Sequence, residues 1–220
     1  MVGPKSSKKQ DLTPKVIIFD CDGVLFDSKD ANIAFYNHIL SQLHLPFMTQ
    51  EEVEYVHAST AEGALQYLLT RRDPRLLGRA LAQRQGMDYA PFISLMRMEP
   101  HLKELLRSLP PQIKRAISTN RTYTIGDVLR IHGLEGEFDP VVSALDVKNP
   151  KPHPESVLKI LHYFSLSPSE ALFVGDSEVD QDSARRARVP FVAYKNRSLK
   201  AAYHIDDLLE VRKIITPVPP

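Results

Sequence analysis

Val16-Ile17-Ile18-Phe19 is a short, unbroken apolar run rich in β-branched residues, the pattern of a strand buried on both faces of a parallel sheet. Comparable runs return far downstream. Ala116-Ile117 leads into Ser118-Thr119, and Ala171-Leu172-Phe173-Val174 leads into Gly175-Asp176. Pro190-Phe191-Val192-Ala193-Tyr194 reads alike, and Val141-Val142 is a weaker candidate. Helical patterns alternate with these strands. Leu102, Leu105, Leu106 and Leu109 fall at i, i+3, i+4 and i+7, one apolar face of a helix that Pro110-Pro111 ends. Val157, Leu158, Leu161 and Phe164 predict another just before the strand at 171. Such alternation predicts an α/β protein with a doubly wound parallel sheet.

The stretch from 29 to 98 differs, predicting helices and no strand. Ile33, Tyr36, Ile39-Leu40 and Leu43 mark one helix. Ser59-Thr60-Ala61-Glu62 reads as a capping box opening a second, which carries Leu65, Leu68 and Leu69. Leu76-Leu77 with Ala80-Leu81 suggests a third, and Ala90 to Met96 a fourth. The expected organisation is a flexible tail over 1–14, an α/β core over 15–28 and 99–220, and an all-helical cap over 29–98, inserted after the first strand. The tail expectation rests on Lys5, Lys8, Lys9, two prolines and two serines with little to bury.

Composition narrows the function classes without choosing among them. The 220 residues carry 28 Lys and Arg against 27 Asp and Glu, a formal charge of +1, so nothing supports electrostatic binding of nucleic acid. One cysteine excludes a disulfide framework and a multi-cysteine zinc site. No apolar run approaches the roughly 18–20 residues that span a bilayer. The opening MVGPKSSKKQDLTPK is basic but lacks the apolar core of a signal peptide, so a cytoplasmic location is expected.

The chemistry is concentrated where the strands end. In open α/β sheets, ligands bind beyond the carboxyl ends of the strands. The first strand runs into Asp20-Cys21-Asp22-Gly23, another into Ser118-Thr119-Asn120, and a third into Gly175-Asp176-Ser177 with Asp180 shortly after. Any one of these is ordinary turn chemistry, since Asp, Asn, Ser and Gly favour loops. Together they would converge hydroxyls and several acids on one crevice.

FDCDGVLFDS, AISTN, KNPKPHP and FVGDSEVDQDSARRA resemble, in order and spacing, the four motifs of the haloacid dehalogenase (HAD) superfamily. The chain is most similar to its phosphoglycolate phosphatase and β-phosphoglucomutase-like branch, with a Rossmann-like core and the helical insert where that branch places its cap. The resemblance implies a Mg²⁺-dependent phosphatase acting on a small phosphorylated metabolite through an aspartyl-phosphate. It makes Asp20 the nucleophile and Asp22 the general acid and base. It gives Mg²⁺ the Asp20 carboxylate, the Asp22 backbone carbonyl and the Asp176 carboxylate, with Asp180 either a direct ligand or one step removed. Thr119, Asn120 and Lys151 would bind the phosphoryl group, Thr119 preferred to Ser118 and Lys151 to Lys148 by their fit to the family's Thr-Asn and Lys-Pro-x-Pro patterns.

Two positions bear on the reaction type. The superfamily's dehalogenases and phosphonate hydrolases lack an Asp two residues after the nucleophile, so Asp22 favours O–P chemistry. Its sugar-phosphate mutases carry a histidine where this chain has Asn32, which favours hydrolysis over mutation. A sugar phosphomutase and a non-enzymatic regulatory protein on the same fold are the alternatives. For substrate contact the cap offers His57, Ser59, Thr60, Arg71 and Arg72, with Asn32 and Tyr36 near the hinge. Cys21 alternates away from the site as a buried, inert thiol, His153 reads as surface, and Asp27 as a hinge brace. Arg188 stands where the family usually has Gly, which puts the local helix-to-strand turn in doubt.

Overall fold

The computed structural model describes residues 13–215, so of the expected tail only Thr13 and Pro14 fall within it, and Pro14 is buried. In chain order the elements are β1 (Val16–Phe19), β2 (Phe26–Asp27), α1 (Lys29–Gln42), α2 (Gln50–Ala58), α3 (Ala61–Thr70), α4 (Leu77–Gly86), α5 (Ala90–Ile93) and β3 (Arg97–Met98). They continue with α6 (Leu102–Ser108), β4 (Lys114–Ser118), α7 (Ile125–Ile131), β5 (Val141–Val142), α8 (Glu155–Phe164), β6 (Ala171–Gly175), α9 (Glu178–Ala187), β7 (Phe191–Tyr194), β8 (Tyr203–Ile205) and α10 (Val211–Ile214). No helix among the described residues is long and apolar enough to cross a membrane.

Six strands form one sheet in the order β5-β4-β1-β6-β7-β8, each neighbouring pair parallel. The chain starts at the centre and winds outward in both directions, as a doubly wound sheet does. Side-chain alternation explains the continuous apolar run of β1. Ile17 and Phe19 enter one hydrophobic cluster, with α6 and α7. Val16 and Ile18 enter the other, with α8 and α9. All four are fully buried.

The helices α1–α4 close over a third cluster of their own, built on Ile39, Leu40, Leu65, Leu68 and Leu69. The chain leaves the core through β2 and returns through β3, which pair antiparallel as Phe26 with Met98 and Asp27 with Arg97. β3 is a strand inside the stretch expected to hold none. Its two residues are too few to carry a periodic signal.

Local differences from expectation are instructive. α3 is capped by Thr60, whose hydroxyl accepts from Gly63 N–H, and not by a Ser59–Glu62 box. The reciprocal box instead opens α2, where Thr49 and Glu52 satisfy each other's backbone N–H groups. The fourth expected cap helix shrinks to α5, because the chain must turn out of helix to form β3. On α8 the buried face runs through Val157, Ile160 and Leu161, while Leu158 is exposed.

Candidate active site

Sheet register assembles the site. β1 pairs Phe19 with Ile117 of β4 on one side and with Val174 of β6 on the other. Asp20 therefore stands level with Ser118 and Gly175, and the residues that follow, Thr119 and Asp176, leave the sheet together with it. Glycine makes the close approach possible at two points. Gly23 has φ +84°, and a Cβ on it would collide with the Asp176 carboxylate. A Cβ on Gly175 would meet Asp180 Cβ at 2.5 Å.

Three carboxylates converge. Asp20, Asp176 and Asp180 each bring an oxygen within 4.8 Å of the others. Lys151, buried with them, donates to Asp20 Oδ1 at 2.7 Å, Asp180 Oδ1 at 2.6 Å and the Ser118 carbonyl at 2.9 Å. Its three N–H groups are thus all engaged. One ammonium does not balance three acids. Burial and the Asp180 charge push Asp20 up to about 7 despite Lys151, and burial with Asp180 and Asp20 pushes Asp176 well up. The remaining Asp180 oxygen accepts from Ser177 Oγ at 2.5 Å in the capping box of α9. Asp176 and the outer side of Asp20 are therefore the freer ligands.

This donor set fits a small, hard divalent cation. It is all oxygen, it is buried, and it carries negative charge in excess of its protein counter-charge. The Asp22 side chain does not join it. Both Asp22 oxygens are taken by Arg121, at 2.5 Å from Nη2 and 3.1 Å from Nε. Burial raises the Asp22 carboxyl, but the Arg121 guanidinium outweighs it and holds Asp22 below its ordinary value. Arg121 is itself nearly buried, braced by Thr124 Oγ1 at 3.0 Å and lying 5.4 Å from the Tyr89 ring centre.

A cavity of about 90 Å³ opens over these groups. The core lines it with Asp20, Asp22, Thr119, Asn120, Arg121, Lys151 and Asp176. Asn32, Phe35, Tyr36, His57, Ser59, Arg84 and Tyr89 line it from the helices of residues 29–98 and their connections. Ser118 turns the other way, to Ser156 Oγ at 2.8 Å, while the Thr119 hydroxyl accepts from Arg121 N–H at 3.0 Å. Asn120 donates to the Lys151 carbonyl at 3.0 Å, and its own side-chain oxygen has no partner among the described residues.

The other candidates sort by burial. Lys148 is exposed. Cys21 is fully buried in the core, which pushes its thiol up. The His153 ring is half exposed, and Asp27 pairs with Arg97 at the hinge. Of the cap candidates, Asn32, Tyr36, His57 and Ser59 line the cavity, with His57 Nδ1 3.2 Å from the Asn32 amide. Thr60 caps α3, Arg71 lies over the Tyr67 ring, and Arg72 is buried against Glu52. Arg121, Arg84 and Tyr89 went unsingled in the sequence. Only the position of Arg121, directly after Thr119-Asn120, hinted at its place.

This α/β core with acids at two strand ends and hydroxyl and amide groups at a third, closed over by helices, defines a class that comparison identifies. The profile of the Haloacid dehalogenase-like hydrolase family matches residues 17–194, and the chain belongs to that family. It is 25% identical over 211 residues to "Pyrophosphatase PpaX" of Oceanobacillus iheyensis, covering 93% of this chain and 96% of that one. It is 26% identical over 209 residues to "Phosphoglycolate phosphatase" of Escherichia coli O157:H7, covering 84% and 82% respectively. Among solved structures, a HAD-superfamily hydrolase of subfamily IA, variant 1, from Geobacter sulfurreducens superposes with a TM-score of 0.81 at 38% identity. It covers 92% of this chain and is itself covered completely.

Proposed function

We propose that the chain is a Mg²⁺-dependent phosphatase that hydrolyses a small phosphorylated metabolite through an aspartyl-phosphate on Asp20. The observation that carries this reading is the convergence of Asp20, Thr119, Lys151 and Asp176 on one cavity. Uncatalysed phosphate-monoester hydrolysis is so slow that enzymes supply up to roughly 10²¹-fold acceleration. Splitting it into two displacements makes each step accessible.

Asp20 Oδ forms a bond to phosphorus as the bond to the leaving oxygen breaks. Asp22 gives that oxygen a proton, then takes one from the water that cleaves the acyl-phosphate. Thr119 and Asn120 hold phosphoryl oxygens, and the Lys151 charge offsets theirs. Mg²⁺ held by Asp20, Asp176 and the Asp22 carbonyl, with Asp180 bracing the set through Lys151 and Ser177, would neutralise the clustered acids and polarise the phosphoryl group. Because Arg121 occupies both Asp22 oxygens and keeps the carboxyl ionised, the acid step requires that pair to open and Asp22 to take up a proton from solvent before it gives one to the leaving oxygen. Asn32 in place of the mutases' histidine supports hydrolysis over phosphoryl return. Both curated relatives are named for substrates that carry a second anionic group beside the scissile phosphate.

Phosphate release from a panel of phosphorylated metabolites, with Mg²⁺ and with EDTA, tests the reading. Turnover should require Mg²⁺ and vanish in Asp20→Asn, whose circular dichroism should match wild type. Turnover retained in that variant would refute the covalent route.

A further inference from the structure

Three cations line the cavity, and two are already paired. Lys151 is held by Asp20 and Asp180, and Arg121 by Asp22. The third is Arg84, in the last turn of α4. Its Nη2 donates to the Thr122 hydroxyl at 2.5 Å, and its guanidinium carbon lies 5.9 Å from the Tyr123 ring centre. Both partners are neutral, and Arg84 forms no ion pair among the described residues. A guanidinium has five N–H donors, so most of its capacity is unused by these contacts.

Its surroundings make that unusual. Arg84 is half-buried and reaches from the helical insert to the Thr122 hydroxyl in the loop after β4, lining the cavity that the carboxylates also line. Phe35, Tyr36 and Tyr89 share the lining and limit water there. A partly desolvated cation without a counter-charge is unfavourable, and the C-terminal end of α4 supplies only a fraction of the compensation. An anion arriving with a ligand supplies the rest, in the charge-assisted geometry that guanidinium favours.

We propose that Arg84 binds a second anionic group on the leaving-group side of the substrate. The substrate class is then small phosphates whose leaving group bears a carboxylate or a further phosphate close to the scissile bond. This inference rests on the phosphatase reading, with the core supplying the phosphoryl site and Arg84 the selectivity.

The test compares three probes: phosphoglycolate, which bears a carboxylate; pyrophosphate, which bears a phosphate; and ethyl phosphate, which bears neither. Wild type should prefer at least one of the first two in kcat/KM. Arg84→Ala and Arg84→Gln, the latter keeping a donor for Thr122, should lower that preference ratio on the order of 10- to 100-fold, chiefly through KM. Arg84→Lys should restore part of it, and the probe whose ratio falls identifies the anion. An unchanged ratio, or an equal fall on all three probes, overturns the assignment, as does a wild type without preference. A wild type that cleaves other phosphates of the metabolite panel but neither phosphoglycolate nor pyrophosphate overturns only the Arg84 assignment, whereas one that cleaves nothing in the panel overturns the phosphatase reading, so the two failures are separable.

Discussion

At the scale of single residues, Arg188 shows how a departure from pattern is absorbed. It ends α9 at φ 61°, in the left-handed region where a side chain is strained, and its N–H still reaches the Ala184 and Arg185 carbonyls. The turn expected to need glycine is made without it. Arg188→Gly should therefore raise stability by about 1 kcal/mol, the relief of left-handed strain less the entropy glycine adds to the unfolded chain. Urea unfolding measures this, and a variant no more stable than wild type contradicts it. The acids were legible in the sequence because carboxylates directly after apolar runs have few other reasons to cluster. Arg121 and Arg84 were not, because an arginine in a loop or on a helix reads as solvated until tertiary structure places it. Asn32 was legible as a hinge candidate, but its pairing with His57, on another helix, is set by the fold alone.

Among elements, the strands were legible where β-branched runs are buried on both faces, and lost where they are short or half exposed. β8 and the β2–β3 hinge pair belong to the second group. α2 carries little apolar signal because its buried side, among the described side chains, is Val53 and Val56, with Glu52 beside them. What holds α2 in place is polar. Glu52 and Arg72, both less than a tenth exposed, form a two-bond ion pair at 2.6 and 2.7 Å. Arg72 also donates to the carbonyls of Pro46, Phe47 and Leu68, tying the α1–α2 connection to α3. Arg72→Met strips the pair of its cation and should cost about 3 kcal/mol, read as a lower urea midpoint. The Arg72 hydrogen bonds hold the Glu52 carboxyl below its ordinary value of 4.5. Below that value the unfolded chain takes up the proton first, so this contribution is intact at neutral pH and fades in acid. A wild-type advantage over Arg72→Met that stays constant down to pH 3 would refute the assignment.

Over the whole molecule, the acid cluster sets function against stability. The folded chain keeps a proton on Asp20 up to about pH 7, whereas an ordinary carboxyl releases it near 3.8, and Asp176 is displaced the same way. Through that window the folded state binds more protons than the unfolded one, so stability in EDTA falls as pH rises from about 4 to 7. A divalent cation bound there would reverse the effect, adding about 2.7 kcal/mol when present at a hundred times its dissociation constant. Asp176→Asn removes one of the mutually repelling charges and the freest ligand of the set. In EDTA at pH 8 it should be more stable than wild type by on the order of 1 kcal/mol, the scale of a pKa shift of one unit. Saturating Mg²⁺ should then raise the urea midpoint of wild type and leave that of the variant unmoved. A variant less stable than wild type in EDTA would mean that Asp176 is held by structure rather than kept for a cation. A variant that still responds to Mg²⁺ would move the metal to other ligands. If both expectations hold, the instability at the strand ends is the counterpart of a site built to be completed by a metal ion.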